Sequence, residues 1–443
     1  LIGSRFLLVP LYLYAWGVDG FADWLVLMAA SMAASFWALG QQWRYGNALR
    51  EAWAHRDVPR FEDVFGAAQS FWLLMLLGLI AALSGFLLTV DVTALLNLRT
   101  LGRLEASISL VALCVAAFGL CYREFLRSVH QARGEFTRTE VMGLCGNVVA
   151  ITTTAIALGL FKAPILVAAL IQPMAGFVLV SLLFLMDGVR RYPDLRLGLR
   201  WTRRHLPRRA DLYVYGVPNG GEWLSSSAPT LILGLVNVPG VQIAQYGVYR
   251  TVGIALRIGL HQIGKLFAFE IIRQHTQGDR AGMQRLHMVG GGLLGLAVGG
   301  AFGFLVASWD VIVGVWTGGE VPVDLLLLIL ILAQLSSAGL GELVSGLLRY
   351  GHHTRDLAYS TTLCALGYLV FAYGMAATYG AYGLVATVSL LDALFFFIVP
   401  AAFVHYRFGL PAWRSLGLPA LTGGIVGLTS YVAVDFGRGL FGV

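Results

Sequence analysis

Four basic residues share one face of a long apolar segment in the second half of the chain. Arg250, Arg257, His261 and Lys265 follow one another at intervals of seven, four and four residues, which places them on one stripe of an α-helix. At about 1.5 Å per residue the stripe covers roughly 23 Å of helix. Guanidinium groups bind phosphate oxygens in a bidentate fork and keep their charge when desolvated, so this chemistry favours a diphosphate ligand. Pairing with buried carboxylates is the alternative, and Lys265 has a third, extension of its amine to the cytoplasmic surface.

The elements that must position these residues are membrane-spanning helices. Of the 443 residues, 58% are hydrophobic and 12% are charged, about half the charge of an average soluble domain. This composition excludes a water-soluble fold. Apolar runs predict thirteen spans within a range of about twelve to fourteen. They lie at 1–16, 22–40, 68–90, 104–125, 139–160, 164–186, 213–236, 246–270, 289–313, 322–345, 357–378, 383–404 and 416–434.

The connections between the spans alternate in charge. Most arginines fall in one set, and the other set is short and holds mainly Asp and Glu. The positive-inside rule therefore predicts that the arginine-rich set is cytoplasmic and that the first helix runs outward. With thirteen helices the C-terminus lies outside, unless the last segment is re-entrant or a span is missing. The arginine-rich connections are 41–67, 126–138, 187–212, 271–288, 346–356 and 405–415.

A hidden repeat predicts two pseudo-symmetric six-helix lobes around a central cavity. A shift of 222 residues lays the pattern L-R-x-x-H-x-x-R at 126–133 onto the same pattern at 348–355, Asp57 onto Asp279, and Trp24 onto Tyr246. Lobes of six helices enter the membrane in the same direction, as in transporters with parallel repeats. We expect an N-terminal lobe at 1–186, a basic linker at 187–212, a C-terminal lobe at 213–408 and one or more additional helices within 409–443.

Further ionisable residues lie within the predicted spans, where each needs a partner or a watery cavity. Arg5, near the middle of the first span, is expected either to face the same cavity as the stripe or to pair with a carboxylate. Asp392 and Glu222 are expected either to hold a coupling Na⁺ ion or proton, or to form salt bridges with the arginines. Glu342 is interpreted as an interfacial cap.

A helix break is predicted at Pro218, followed by Gly220 and Gly221, because proline removes a backbone donor and such breaks are tolerated where they line a cavity. This site is either a hinge for alternating access or a static kink.

The repeated basic pattern predicts three basic groups on one helix face beside the cytoplasmic leaflet. One interpretation is that these groups determine the topology of the chain and contact anionic lipid headgroups. The other is a cytoplasmic gate formed with Glu51, Asp57 or Asp279. The six residues are Arg127, His130, Arg133, Arg349, His352 and Arg355.

The chain resembles the Wzx-type oligosaccharide-lipid flippases, whose superfamily also holds multidrug exporters and lipid II flippases. The resemblance rests on the two lobes, the basic linker, and the proline in Tyr215-Gly216-Val217-Pro218-Asn219. Two weaker patterns add to it. They are residues 46–52 (GNALREA) leading to His55-Arg56-Asp57, and residues 379–384 (YGAYGL).

This resemblance implies a flippase, not an enzyme, in the bacterial inner membrane. Its substrate would be an undecaprenyl-diphosphate-linked oligosaccharide, an O-antigen or exopolysaccharide repeat unit, moved to the periplasmic leaflet by alternating access. We expect a monomer surrounded by membrane lipids, with polysaccharide polymerase machinery as a further partner, no nucleic acid, and no cofactor or metal beyond Na⁺ or H⁺ coupling.

Two other functions stay open. An ion-coupled multidrug or cation exporter of the same superfamily would need an acidic cavity, which the membrane arginines oppose. A non-transporting subunit or enzyme of polysaccharide assembly would need a convergent acid–base constellation, and the sequence offers neither that nor a Walker-type phosphate loop.

Overall fold

The structure, a computed structural model, describes residues 2–195, 198–199, 207, 209–351 and 353–441. Over these ranges it is helical and without strands, and each of the thirteen predicted spans falls on helix. Nine helical stretches within the described ranges are long and apolar enough to cross a membrane. The prediction of an all-α, multi-pass membrane protein is therefore confirmed. The nine stretches are Phe6–Trp37, Val58–Thr89, Arg103–Ala132, Phe136–Phe161, Ile165–Arg191, Gly240–Thr276, Arg280–Thr317, Leu325–Tyr350 and Arg355–Phe408.

Two of these stretches each contain a reversal of the chain at a glycine. Gly17 has a φ of 67°, and beyond it the Trp24 ring returns to 5.5 Å from the Tyr12 ring. Gly380 has a φ of 60°, and it lies between Tyr368 and Asp392, whose side chains are hydrogen-bonded. Glycine adopts positive φ without a clash of Cβ, so each turn needs few residues. The predicted spans on either side of each glycine are therefore separate helices.

Contacts divide the chain into two compact units, the first of which contains Gly3 and Leu7–Asn237. Its helices include a π-helical segment at Met174–Leu179 between α8 and α9. They are α1 (Ile2–Ser31), α2 (Ala34–Trp37), α3 (Gln41–Ala54), α4 (Val58–Thr89), α5 (Val92–Leu96), α6 (Arg103–Ala132), α7 (Phe136–Phe161), α8 (Ile165–Pro173), α9 (Val180–Arg191), α10 (Arg209–Ser226) and α11 (Ala228–Leu235).

The second unit contains Val238–Val443 together with Ile2 and Ser4–Phe6. Two π-helical segments, Tyr368–Ala372 and Ala393–Ile398, interrupt its helices. The helices are α12 (Gly240–Thr276), α13 (Arg280–Thr317), α14 (Leu325–Tyr350), α15 (Thr354–Gly367), α16 (Tyr373–Asp392), α17 (Val399–Phe408) and α18 (Ala412–Phe441).

Residues 213–236, which were assigned to the C-terminal lobe, pack here with the first unit. Arg44 Nε donates to Asp211 Oδ2 at 2.9 Å. A Cβ on Gly40 would lie 2.2 Å from the Tyr215 carbonyl oxygen, so α10 approaches the start of α3 at backbone distance. The predicted lobe boundaries and their pseudo-symmetry stay a prediction.

One part of the repeat is visible in the backbone. Asp57 and Asp279 each cap the next helix, accepting from the backbone N–H of Arg60 at 3.0 Å and of Gly282 at 2.9 Å. The residues before them, Arg56 and Gly278, both have positive φ, 56° and 77°. Aspartate accepts the otherwise unpaired N–H groups of a helix start, which explains its position in both copies. The 222-residue shift therefore identifies the same helix–loop–helix junction in each unit.

The basic pattern does not recur in the same way. α6 continues to Ala132, and Arg133 follows it, whereas α14 ends at Tyr350 before Gly351. Arg355 consequently lies on α15. The prediction that each pattern places its three basic groups on one helix face is wrong for the second copy, because that helix ends between them.

The predicted break near Pro218 is also displaced. α10 is helical from Arg209 to Ser226, and the interruption comes at Ser227, immediately before α11. Pro229 lies in the first turn of α11, where its missing N–H costs nothing. Gly220 and Gly221 lie within continuous helix, and a Cβ on Gly220 would lie 2.4 Å from the Phe36 ring. A functional hinge here stays a prediction.

The additional C-terminal helix, α18, packs on α13 through glycines. A Cβ on Gly299 would lie 2.0 Å from the Gly423 carbonyl oxygen, and one on Gly303 would lie 2.1 Å from that of Gly427. Small residues at four-residue spacing allow helix backbones in a membrane to touch, so dispersion holds the pair together. The final helix is thus an integral part of the second unit.

We expect Gly299→Ala to lower the stability of the purified protein by about 1–3 kcal/mol, because the new methyl group forces α13 and α18 apart. Gly292→Ala on the same helix is the matched control, since its Cβ would meet open space and alanine favours helix. Thermal unfolding in one detergent compares the two. Equal melting temperatures would contradict the backbone contact.

Candidate functional site

The predicted cationic stripe lies on a single unbroken helix, α12. Arg250 is almost covered, with 9% of its surface exposed. Arg257 and His261 are more accessible, with side chains 28% and 32% exposed. Arg257 and His261, one turn apart, are therefore more accessible than Arg250.

A carboxylate on α14 faces these two cations. Glu342 Oε2 is hydrogen-bonded to His261 Nδ1 at 2.7 Å, and its Oε1 lies 3.7 Å from a terminal nitrogen of Arg257. The Glu342 side chain is 13% exposed. The interpretation of Glu342 as an interfacial cap is therefore wrong, because this side chain bridges two positions of the stripe.

Glycines fix α12 and α14 at the distance that this bridge requires. A Cβ on Gly253 would lie 2.0 Å from Leu335 Cδ1, and one on Gly339 would lie 2.4 Å from Leu260 Cδ1. A Cβ on Gly264 would lie 3.2 Å from the Leu343 nitrogen, beside Glu342. The leucines of one helix thus fill the spaces over the glycines of the other, and the short Glu342 side chain reaches α12.

Asp392 is a further carboxylate within the spans of this unit, and none of its surface is exposed. Gln334 Nε2 donates to Oδ2 at 2.9 Å, and the Tyr368 hydroxyl donates to Oδ1 at 3.0 Å. Tyr368 begins one π-helical segment and Asp392 immediately precedes the other. π-Helical turns are often found at functional sites, and here they coincide with a buried charge.

The cationic stripe and Asp392 belong to one electrostatic cluster. Arg257 and Arg250 both lie within electrostatic range of the Asp392 carboxyl group. Arg250 lies 5.8 Å from the centre of the Tyr246 ring, measured from its guanidinium carbon. Tyr246 is completely buried, and its hydroxyl has no hydrogen-bond partner among the described residues. The second unit therefore has a polar interior that links α12, α14 and α16.

Several predicted site residues are not part of this cluster. The side chains of Arg5, Glu222 and Pro218 lie outside the described residues. Phe6, next to Arg5, accepts a hydrogen bond from Trp316 at its carbonyl oxygen, at 2.8 Å. Lys265 Nζ lies 5.9 Å from the Phe269 ring centre, which is consistent with a purely local contact.

The basic pattern of the first unit is satisfied within that unit. Arg127 pairs with Glu124 at 3.1 Å and with Glu140. His130 is buried and shares a hydrogen bond of 3.1 Å with the Tyr192 hydroxyl. Burial raises the pKa of the Tyr192 phenol, so this hydroxyl stays neutral. The Arg133 guanidinium carbon lies 4.4 Å from the Trp53 ring and 4.0 Å from the Tyr192 ring.

In the second unit, Arg355 Nε donates to the Tyr359 hydroxyl at 3.0 Å, and Arg349 attracts the Glu342 carboxylate electrostatically. His352 lies outside the described residues. Two of the predicted gate partners, Asp57 and Asp279, serve as helix caps, and Glu51 pairs with Arg60 at 3.1 Å. The cytoplasmic gate stays a prediction.

Sequence analysis missed the roles of Glu342, Gln334 and Tyr368. Each lies on a different helix from its partner, so no spacing in the sequence joins them. A usable signal was Gly339, whose Cβ would lie 2.4 Å from Leu260 of α12, because Glu342 lies three residues further on and therefore on the same face of α14.

Comparisons with known proteins address the fold. No protein-family model and no curated protein matches the sequence. Solved structures, in contrast, match it over almost the full length. An inward-facing multidrug resistance MATE family transporter of the MOP superfamily gives a TM-score of 0.72 at 13% identity, covering 98% of this chain and 96% of that chain.

The lipid II flippase MurJ in an inward closed conformation gives a TM-score of 0.63 at 12% identity, covering 97% of this chain and 98% of that chain. The MATE multidrug transporter DinF-BH gives a TM-score of 0.60 at 15% identity, covering 92% of both chains. The chain shares the fold of these proteins. At these identities the likeness says nothing about the substrate.

We expect Asp392→Ala to lower the free energy of unfolding by about 1–3 kcal/mol, because Gln334 and Tyr368 would lose their buried acceptor. Thermal unfolding of the purified protein measures the effect. Glu320→Ala, in an exposed loop of the same unit, is the control. A melting temperature equal to that of the control would show that these hydrogen bonds do not stabilise the unit.

Proposed function

We propose that this protein is a Wzx-type flippase that moves an undecaprenyl-diphosphate-linked oligosaccharide from the cytoplasmic to the periplasmic leaflet by alternating access. The observation that carries the proposal is the accessible Arg257, with His261 beside it, on a membrane-spanning helix. The polar unit of a lipid-linked sugar that crosses the membrane is anionic at its diphosphate. Basic groups within the span can bind that diphosphate, whereas the hydrocarbon layer of the membrane offers it no binding site.

The energetic argument favours a ligand role for Arg257. An arginine in the middle of a span costs about 2.5–3.5 kcal/mol on insertion scales, and such residues usually mark substrate pathways. Glu342 compensates this charge only in part, since the pair is separated by 3.7 Å, longer than a hydrogen bond. A diphosphate would bind the guanidinium in bidentate geometry. Arg250 is almost covered, so it would attract the diphosphate electrostatically without contacting it.

The same proposal includes the setting of the protein. We place it in the bacterial inner membrane as a monomer, with polysaccharide polymerase machinery receiving the exported repeat unit. A solved lipid II flippase has the same fold, so this fold is compatible with a lipid-linked substrate. A Na⁺ or proton gradient would drive the cycle through Asp392.

An ion-coupled multidrug or cation exporter is the second candidate. The buried Asp392 and the partly accessible Glu342 favour it, because a cation needs acidic groups within the span. Two of the solved structures with the same fold are multidrug transporters. The two candidates differ in the sign of the charge that the site must bind.

We expect Arg257→Ala to reduce export of the glycan at least about tenfold, because one charge-assisted phosphate contact is lost. Polysaccharide at the surface of cells that depend on this protein gives the measurement, at matched protein levels. Arg257→Lys should retain part of the activity, since lysine keeps the charge without the fork.

Arg273→Ala on the same helix is the matched control. Arg273 is exposed and pairs with Glu270 in the preceding turn of the same helix. Wild-type polymer in the Arg257→Ala variant would falsify the flippase proposal. Retained efflux of a cationic dye by that variant would then favour the exporter.

We expect Asp392→Asn to abolish the ion dependence of transport, because the amide has the size of the carboxylate but cannot exchange a proton or neutralise Na⁺. Proteoliposomes with an imposed Na⁺ or pH gradient provide the assay, and Glu320→Gln is the control. A gradient that accelerates the Asp392→Asn variant as it does the wild type would exclude Asp392 as the coupling residue.

A further inference from the structure

Glu342 already occupies the anion-binding groups of the stripe in this structure. Its two carboxylate oxygens contact different basic groups. Oε2 is hydrogen-bonded to the His261 ring at 2.7 Å, and Oε1 lies 3.7 Å from the Arg257 guanidinium. A carboxylate and a phosphate use the same two-oxygen geometry toward a guanidinium. A diphosphate arriving at Arg257 must therefore compete with Glu342 for the same donors.

The Glu342 carboxylate has a further basic group on its own helix, Arg349. Arg349 lies seven residues further along α14, two helical turns on the same face and about 10 Å along the axis, and it attracts the Glu342 charge. A glutamate released from Arg257 would thus remain close to a positive group. This lowers the cost of displacing Glu342 in a membrane span.

Glu342 is not needed to hold α12 against α14. Leucine–glycine contacts at Gly253 and Gly339 join the helices on one side of it in depth, and the close approach of Gly264 to the Leu343 backbone joins them on the other side. Leu260, Leu343 and Leu347 belong to the same buried apolar core. The helix pair is therefore packed by apolar contacts, and the carboxylate is available for another role.

We propose that Glu342 is a built-in counter-anion, which partly compensates the charge of Arg257 and is hydrogen-bonded to His261 while the site is empty, yields both groups to the substrate diphosphate, and competes to release it. The inference rests on the proposed function, because it takes a diphosphate as the ligand. It predicts that Glu342 weakens binding and speeds release. A salt bridge with a purely structural role would do neither.

The test measures binding of farnesyl diphosphate, a short isoprenyl diphosphate, to the purified protein in nanodiscs by calorimetry. Glu342→Gln should bind it about three- to tenfold more tightly, since a partly exposed pair no longer competes. Arg257→Ala should bind it at least about tenfold more weakly. The double variant, Glu342→Gln with Arg257→Ala, should not show the tighter binding expected for Glu342→Gln alone. Inorganic pyrophosphate, as a second probe, distinguishes a lipid-linked diphosphate from a free one.

Transport by Glu342→Gln in proteoliposomes gives an independent readout. Its KM for a fluorescent lipid-linked diphosphate should fall and its kcat should fall as well, because no resident anion helps to displace the ligand. Glu270→Gln, on the exposed end of α12, is the control for loss of a carboxylate. Glu342→Met, with an apolar side chain of similar length, makes the same test if the amide variant is unstable.

The outcomes separate the two proposals. If Arg257→Ala loses binding while both Glu342 variants bind as the wild type does or more weakly, the counter-anion role is wrong and the diphosphate site stands. If the wild type binds neither probe, or if Arg257→Ala binds as the wild type does, the diphosphate site and the counter-anion role are both wrong.

Discussion

The cost of an ionisable group in the hydrocarbon layer is the constraint on which the second unit depends. Each charge on its spans must find a partner there or face a place that water or a ligand can reach. Asp392 meets this demand through Gln334 and Tyr368, with two arginines nearby. Glu342 meets it by bridging His261 and Arg257. The polar interior of the unit is therefore a set of mutually dependent pairs, and the proposed ligand site contains the pair with the longest separation, Arg257 and Glu342.

Much of the fold was predictable because hydrophobicity and glycine act locally. A span needs about twenty apolar residues wherever it packs, so all thirteen predicted segments fall on helix. The repeat was also predictable, since a single capping aspartate at the same position in both copies identifies the start of the equivalent helix. The displaced break in α10 shows the limit. Pro218 and Gly220 suggested a broken helix, but Gly220 instead lies where the Phe36 ring packs against α10. A glycine that breaks a helix and a glycine that admits a close neighbour cannot be told apart in the sequence.

The pairing of charges was not predictable, because it depends on the register between helices distant in sequence. The stripe on α12 followed from spacing within one helix. Its partner depends on which face of α14 meets that stripe, and this is set by contacts such as those of Gly253 with Leu335 and Gly339 with Leu260. A shift of one turn between α12 and α14 would move a side chain by about 5.4 Å, which is enough to break an ion pair. Sequence reasoning therefore found the cations and misjudged Glu342.

The repeat also explains why the proposed chemistry belongs to one copy. Under the 222-residue shift α12 corresponds to residues 18–54, where the chain forms the end of α1, then α2 and α3. Leu39 and Gly40 both have positive φ there, 52° and 68°, so that copy is interrupted, and α10 packs at the interruption. The positions equivalent to Arg250 and Arg257 are Met28 and Ser35. An interrupted helix cannot carry a continuous stripe of charge, whereas the unbroken α12 can. Of the two equivalent segments, one therefore supports close packing and the other supports the cations that a diphosphate requires.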